Sequence, residues 1–125
     1  MPGAGDPDNR RPMKFTDLSE YEYQTLETFK KLTHIRRNNI EFIYGKTKII
    51  EANYWTIIIE RQYFDRYSYI IINQSPEESS IIISKNIIND INKFETHFNS
   101  EINELTENYQ IILPPYSFEI LTKLK

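Results

Sequence analysis

The chain has 125 residues, the length of one domain, and a formal net charge of −3. This mildly acidic balance lacks the basic footprint of a nucleic-acid-binding protein, so we expect no nucleic-acid partner. The absence of cysteine excludes disulfides, thiolate metal ligands and a cysteine nucleophile. No apolar run approaches the ~20 residues of a membrane helix, and the N-terminus lacks the basic and apolar segments of a signal peptide. These features predict a soluble, cytoplasmic protein without a membrane partner.

The first fifteen residues are rich in Pro, Gly, Asp and Asn, which predicts a shaped loop over residues 3–15. Pro7 biases Asp6 toward an extended conformation, and a turn at residues 8–9 would bring Asp6 and Arg10 to the same side. A carboxylate beside a guanidinium can bind a polyhydroxylated ligand through charge-assisted hydrogen bonds. Alternatively, the two side chains only pair with each other and hold the loop.

One amphipathic helix is predicted over residues 19–37. Ser19 and Glu22 fit a capping box at its start, and Asn38-Asn39 ends it. Its apolar stripe must be buried against another element, and it consists of Leu26, Phe29, Leu32 and Ile35.

From residue 40 onward, short β-branched and aromatic runs alternate with turn signals, which is typical of an antiparallel β-sandwich. The segment 86–93 is compatible with either an irregular crossover or a helical turn. We predict a mainly β fold with strands at 41–44, 47–51, 55–61, 67–73, 79–84, 94–98, 111–113 and 118–121.

Several motifs together resemble glycoside hydrolase family 13, the α-amylase family. Gly5-Asp6-Pro7-Asp8-Asn9-Arg10-Arg11-Pro12-Met13 looks like the segment after its eighth barrel strand, and residues 26–37 resemble its last barrel helix. Tyr44-Gly45-Lys46, residues 69–75 and residues 113–121 resemble, in order, parts of its C-terminal domain C. The neopullulanase, cyclomaltodextrinase and maltogenic amylase branch is the most similar one. That branch usually continues Met-Pro-Trp, whereas this sequence has Met13-Lys14-Phe15.

The resemblance implies that residues 1–39 form the end of a catalytic (β/α)8 barrel and that residues 40–125 form a C-terminal antiparallel β-sandwich. Asp6 and Arg10 match the pair that binds a glucose ring on the non-reducing side of the scissile bond. The family hydrolyses α-glucosidic bonds with retention, using two carboxylates and a third Asp on barrel strands that precede these motifs.

The chain is therefore expected to be the C-terminal portion of an enzyme acting on maltooligosaccharides, cyclodextrins or pullulan. It would contain no catalytic residue and would be inactive alone. Its expected partners are the missing N-terminal part of the barrel and, when that barrel is present, an α-glucan or maltooligosaccharide.

Other candidate sites are weaker. His34 and His97 are isolated in the sequence, which favours structural roles. Asp6 and Asp8 have a calcium-like spacing but lack further oxygen donors, so we expect no metal and no cofactor.

A second hypothesis is a stand-alone β-sandwich that binds a glycan on a row of exposed aromatic residues. Alternatively, these aromatics pack the sandwich or its interface with the barrel. A third hypothesis is an inactive homologue that serves as an interaction protein. The aromatics concerned are Tyr54, Trp55, Tyr63, Phe64, Tyr67 and Tyr69.

Overall fold

The computed structural model describes residues 12–125, which belong to two units, Met1–Ile35 and Arg36–Lys125. The described part of the first unit is an irregular segment followed by most of helix α1 (Glu20–Asn38). The predicted capping box is confirmed, because Ser19 N donates to Glu22 Oε2 at 2.8 Å and Glu22 N donates to Ser19 Oγ at 3.3 Å. The hydrogen bond from the Ser19 backbone, followed by the one from Lys14, lowers the pKa of the Glu22 carboxyl.

The second unit contains a one-turn helix α2 and eight strands. A single turn of 3-10 helix (Ile91–Lys93) lies in the segment that the sequence left ambiguous. The elements are α2 (Glu41–Tyr44), β1 (Lys46–Ala52), β2 (Thr56–Tyr63), β3 (Arg66–Asn73), β4 (Ser79–Ser84), β5 (Phe94–Thr96), β6 (Glu101–Glu104), β7 (Asn108–Leu113) and β8 (Ser117–Lys123).

The strands form two antiparallel sheets, which confirms the predicted β-sandwich class. The five-stranded sheet has the order β1-β2-β3-β8-β5 and the three-stranded sheet has the order β4-β7-β6. Buried residues alternate with less buried ones along β4 and β7, and many of the β-branched residues of the sequence lie in the core. The core cluster comprises Ile58, Tyr69, Ile71, Ile81, Ile83, Ile88, Tyr109, Ile111, Leu113 and Leu121.

The two ends of the five-stranded sheet carry different connections. At one end, α2 lies beside the β2–β3 turn at Phe64-Asp65; we call it the α2 end. At the other end are three connections: the β1–β2 turn (53–55), the segment after β3 (74–78) and the β7–β8 turn (114–116). We call this the distal end. The eight residues of β2 separate the two ends by roughly 25 Å.

Three differences separate the predicted elements from the structure. Residues 41–44 were predicted as a strand and are helix α2, because the turn buries the Glu41 carboxylate beside partners on β3. Strand β6 was not predicted, since its sequence Glu-Ile-Asn-Glu lacks a β-rich pattern; it lies at the edge of the small sheet, where charged residues are common. Strand β5 ends at Thr96, so His97, which was predicted to lie in a strand, follows it.

Candidate functional site

The predicted substrate-contact residues Asp6 and Arg10 lie outside the described residues, as does Asp8. The structure describes the end of that loop from Pro12 onward. Lys14 Nζ lies 2.9 Å from Glu22 Oε2, so the loop's last residues are tied to the first turn of α1. This ion pair is exposed and weak, but it gives a local role to the residue that departs from the family motif.

Helix α1 presents an apolar face to solvent. A shallow groove along it is lined by Tyr21, Thr25, Phe29 and Leu32, at the i, i+4 and i, i+3 spacings of one helix face. We call these four residues the helix face. The Phe29 side chain is 66% exposed, and Leu26 of the predicted stripe is also exposed. An apolar face of this kind is typical of a helix that packs against a partner.

His97 lies in the connection that follows β5 and is hydrogen-bonded to β8. His97 Nε2 lies 2.7 Å from Thr122 Oγ1, and the His97 backbone N–H donates to Glu119 Oε1 at 2.9 Å. Within residues 12–125, no group of three or more His, Asp or Glu side chains is placed to hold a metal ion. The expectation that Asp6 and Asp8 bind no metal stays a prediction.

The aromatic residues around the β2–β3 hairpin do not form one row. Tyr69 is buried in the core, where its hydroxyl donates to Glu60 Oε2 at 2.9 Å; burial, followed by this hydrogen bond, raises its pKa. Tyr67 is partly buried against the same core. The others divide into two groups at opposite ends of the sheet. Tyr54 and Trp55 pack edge to face at the distal end, with ring centroids 4.5 Å apart, and Tyr63 and Phe64 do so at the α2 end at 4.7 Å.

A buried ionic cluster holds α2 on the five-stranded sheet. Arg66 Nε donates to Glu41 Oε2 at 3.0 Å, and Ser68 Oγ donates to Glu41 Oε1. Burial opposes ionisation of the Glu41 carboxyl, but the hydrogen bonds from Ser68 and Arg66 outweigh it and lower its pKa. Arg66 also donates to the Lys123 carbonyl at 3.1 Å, which joins β3 to the end of β8. Sequence patterns give no signal for this pairing, because Glu41 and Arg66 are distant along the chain.

A second buried carboxylate, Glu119 on β8, organises the connection between β5 and β6. Its Oε1 accepts hydrogen bonds from the backbone N–H groups of His97 and Phe98, both at 2.9 Å. Its Oε2 accepts from the Ser100 N–H at 3.0 Å. Charge-assisted bonds to backbone donors compensate for burying the carboxylate, so this residue has a structural role.

No helix among residues 12–125 is long and apolar enough to cross a membrane. Three features of the described residues are candidates for a functional or structural role. They are the exposed helix face, the aromatic residues at the two ends of the sheet, and the buried carboxylates that hold α2 and the connection between β5 and β6.

Parts of the chain are similar in sequence, and its fold is similar in structure, to known proteins. The chain is 33% identical over 75 residues to a cyclomaltodextrin glucanotransferase from Geobacillus stearothermophilus. That match covers 60% of this chain but only 10% of the relative. No family model matches the chain.

Solved structures share the fold at lower sequence identity. An α-amylase from Geobacillus thermoleovorans, complexed with acarbose, matches 100% of this chain and 27% of its own length, with a TM-score of 0.81 and 20% identity. AmyP in complex with maltose matches 85% of this chain and 22% of its own length, with a TM-score of 0.76 and 17% identity. The chain thus spans about a quarter or less of these proteins. The predicted resemblance to proteins of the α-amylase family is confirmed, whereas membership of glycoside hydrolase family 13, the C-terminal position and the branch stay predictions.

Proposed function

We propose, with that α-amylase-family resemblance as the premise, that this chain is the C-terminal portion of a retaining glycosidase acting on α-glucosidic bonds. In this proposal residues 1–39 complete the catalytic barrel and residues 40–125 form the domain that supports it. The observation that carries the proposal is that an α-amylase matches 100% of this chain with a TM-score of 0.81, while the match covers only 27% of that protein.

The exposed helix face supports a role for α1 as the last helix of the barrel. A helix in the outer ring of a (β/α)8 barrel packs its apolar side on the strands. The apolar members of the helix face would supply that side, and burying them would stabilise the barrel by about 1.5–3 kcal/mol for each large side chain. The chain alone leaves this area in contact with water.

The loop before α1 would contribute to substrate binding. Asp6 would accept hydrogen bonds from glucose hydroxyls and Arg10 would donate to them, which fixes one ring of the substrate beside the scissile bond. The Lys14–Glu22 ion pair links the described end of this loop to the first turn of α1. Proton transfer and nucleophilic attack would belong to carboxylates elsewhere in the barrel.

Because this proposal places the catalytic carboxylates outside the 125-residue chain, the chain alone should not hydrolyse maltooligosaccharides, pullulan or cyclodextrins. Reducing-end assays with a pure sample test the prediction. Measurable turnover that co-purifies with the chain would contradict it.

The role of Asp6 is tested in a protein that contains the barrel. Asp6→Ala is expected to lower kcat/KM for maltooligosaccharides roughly 10- to 100-fold, because charge-assisted bonds contribute about 1.5–3 kcal/mol. The melting temperature should change little. Asp8→Ala is the matched control, since it removes the same charge from the same loop at a position to which the resemblance assigns no substrate contact. An equal loss of kcat/KM in both variants would overturn the assignment.

A further inference from the structure

We propose that the distal end of the sandwich is a surface binding site for an α-glucan chain, formed by Tyr54, Trp55 and Tyr116. The substrate class rests on the proposed function, but the site is separate from the loop that contains Asp6 and Arg10. It lies on the domain of residues 40–125, for which the proposal above assigns only a supporting role.

The three aromatic side chains are exposed at the same end of the five-stranded sheet. Tyr54, Trp55 and Tyr116 are 78%, 45% and 73% exposed, respectively. Thr56 on β2 is opposite Asn73 on β3, which is opposite Ser117 on β8. Two strand spacings place Trp55 and Tyr116, each one residue beyond these positions, about 10 Å apart. That span suits a short run of sugar rings.

Hydrogen bonds hold this end rigid. Gln74 N donates to the Trp55 carbonyl and Gln74 Nε2 to the Tyr54 carbonyl, both at 2.9 Å. Asn53 Oδ1 accepts from the Trp55 and Thr56 N–H groups, each at 2.9 Å. A fixed aromatic surface loses little conformational entropy on binding, which favours a ligand that offers only weak contacts.

Tyr116 is held in an unusual backbone conformation. Its φ is 50°, in the left-handed region that bulky residues rarely adopt, and its N–H donates to the Ser75 carbonyl at 3.1 Å. This hydrogen bond joins the β7–β8 turn to the segment after β3, so the exposed ring of Tyr116 is held at the distal end.

The polar groups of the distal end suit a neutral, hydroxyl-rich ligand. Residues 53–56, 74–78 and 114–117 contain no Lys or Arg, so an anionic ligand such as nucleic acid or phosphate finds no counter-charge there. The exposed side chains of Gln74, Glu77 and Glu78 provide oxygen acceptors for hydroxyl groups. The C–H face of a pyranose ring packs on an aromatic face while its hydroxyls reach such acceptors.

The chain contains a built-in probe for this site, because Trp55 is its only tryptophan. Titration of the 125-residue chain with maltoheptaose should produce a saturable change in Trp55 fluorescence. Cellohexaose, with β-linked glucose units, should produce a much weaker change. If maltoheptaose gives no saturable change and the chain also migrates normally in a native gel cast with glycogen, the proposal is wrong.

Two substitutions sharpen the test. Tyr116→Ala should weaken maltoheptaose binding at least tenfold, and Tyr116→Leu, which keeps apolar bulk but removes the flat ring, should do the same. Phe64→Ala is the matched control, since Phe64 is 79% exposed, has a φ of 53° and lies at the α2 end. Its fluorescence titration should be unchanged. Equal weakening by Phe64→Ala would overturn the location of the site.

Trp55→Ala removes the fluorophore, so its binding is measured by retardation in the glycogen gel, where we expect normal migration. Circular dichroism confirms that each variant is folded. These outcomes are independent of hydrolysis assays and of the Asp6→Ala test. Failure at the distal end therefore leaves the proposed function intact, and the reverse also holds.

Discussion

Asn73 donates a hydrogen bond from Nδ2 to the carbonyl oxygen of Pro114 at a distance of 3.0 Å. The same amide donates to the Leu113 carbonyl at 3.3 Å, and its Oδ1 accepts from the Ser75 N–H at 2.9 Å. Asn73 thus joins the two segments, 69–75 and 113–121, in which the sequence resembles domain C. Segment 69–75 ends and segment 113–121 begins at the distal end, so one buried amide joins the loops of the surface where we place glucan binding.

Asn73→Ala should destabilise the chain by about 3 kcal/mol, because several buried backbone groups lose their partner at once. Urea unfolding followed by circular dichroism measures the change. The folded fraction of the variant should also show a weaker maltoheptaose-induced fluorescence change. Asn92→Ala, at an exposed position, serves as control and should stay within about 0.5 kcal/mol of the parent. If Asn73→Ala lowers the free energy of unfolding by less than 1 kcal/mol, water replaces the hydrogen bonds of the amide and the prediction is wrong.

Glu41→Gln should lower the free energy of unfolding by about 3 kcal/mol at pH 7, because the substitution leaves Arg66 without its buried counter-charge. The pKa of Glu41 is lowered in the folded state, so its carboxylate stabilises the fold above the ordinary value of 4.5. That stabilisation is lost as the pH falls through the folded-state pKa. The difference between the parent and the variant should therefore shrink steadily below pH 4.5.

The measurement for Glu41 is a series of urea titrations between pH 3 and pH 8, and Glu95→Gln at an exposed position is the control. A difference that is constant over this pH range would mean that the effect comes from packing and not from the charge.

Glu119→Gln should cost about 2 kcal/mol, since the amide nitrogen would face a backbone N–H donor in place of an acceptor oxygen. The effect should be local, because the bonds of Glu119 hold residues 97–100. Hydrogen exchange should therefore increase at His97, Phe98 and Ser100 more than in β2 or β3. Uniform exchange across the sheet would contradict this local role. Glu107→Gln, which changes an exposed side chain, should leave the exchange pattern as it is.

Phe29→Asp should change the stability of the 125-residue chain by no more than about 0.5 kcal/mol, because the side chain is already exposed. In a protein that contains the barrel, the same substitution should cost 2 kcal/mol or more, since it would bury an unpaired charge. Tyr23→Asp is the control, because Tyr23 is exposed on the opposite side of α1. Thermal unfolding of both proteins measures the effect. An identical small effect in both would argue against packing of the helix face on the barrel.

Much of the fold can be predicted from residues that lie close together in the sequence. The elements that depend on contacts between distant residues cannot. The capping box at Ser19 and the β-branched runs of β2, β3 and β4 give correct elements, because each depends on residues close together in the chain. Helix α2 could not be predicted, since its stability depends on Glu41 contacting Arg66 on a distant strand. Strand β6 depends on pairing with β7, which its own polar residues do not indicate.

The candidate sites also differ in whether they depend on a local motif or on contacts between distant residues. The resemblance points to Asp6 and Arg10 through a local motif. The aromatic residues of the hairpin looked like one surface in the sequence, but strand length separates them into two ends. No sequence pattern indicates that Tyr116 is a binding residue, because only the pairing of β3 with β8 brings it to the same end as Trp55.

The genomic DNA sequence immediately upstream of the Met1 codon tests most directly whether this chain is the C-terminal portion of a larger enzyme. We expect the reading frame to continue upstream and to encode a (β/α)8 barrel with two catalytic carboxylates and a third Asp at strand ends. An in-frame stop codon followed by a ribosome-binding site directly before Met1 would contradict it.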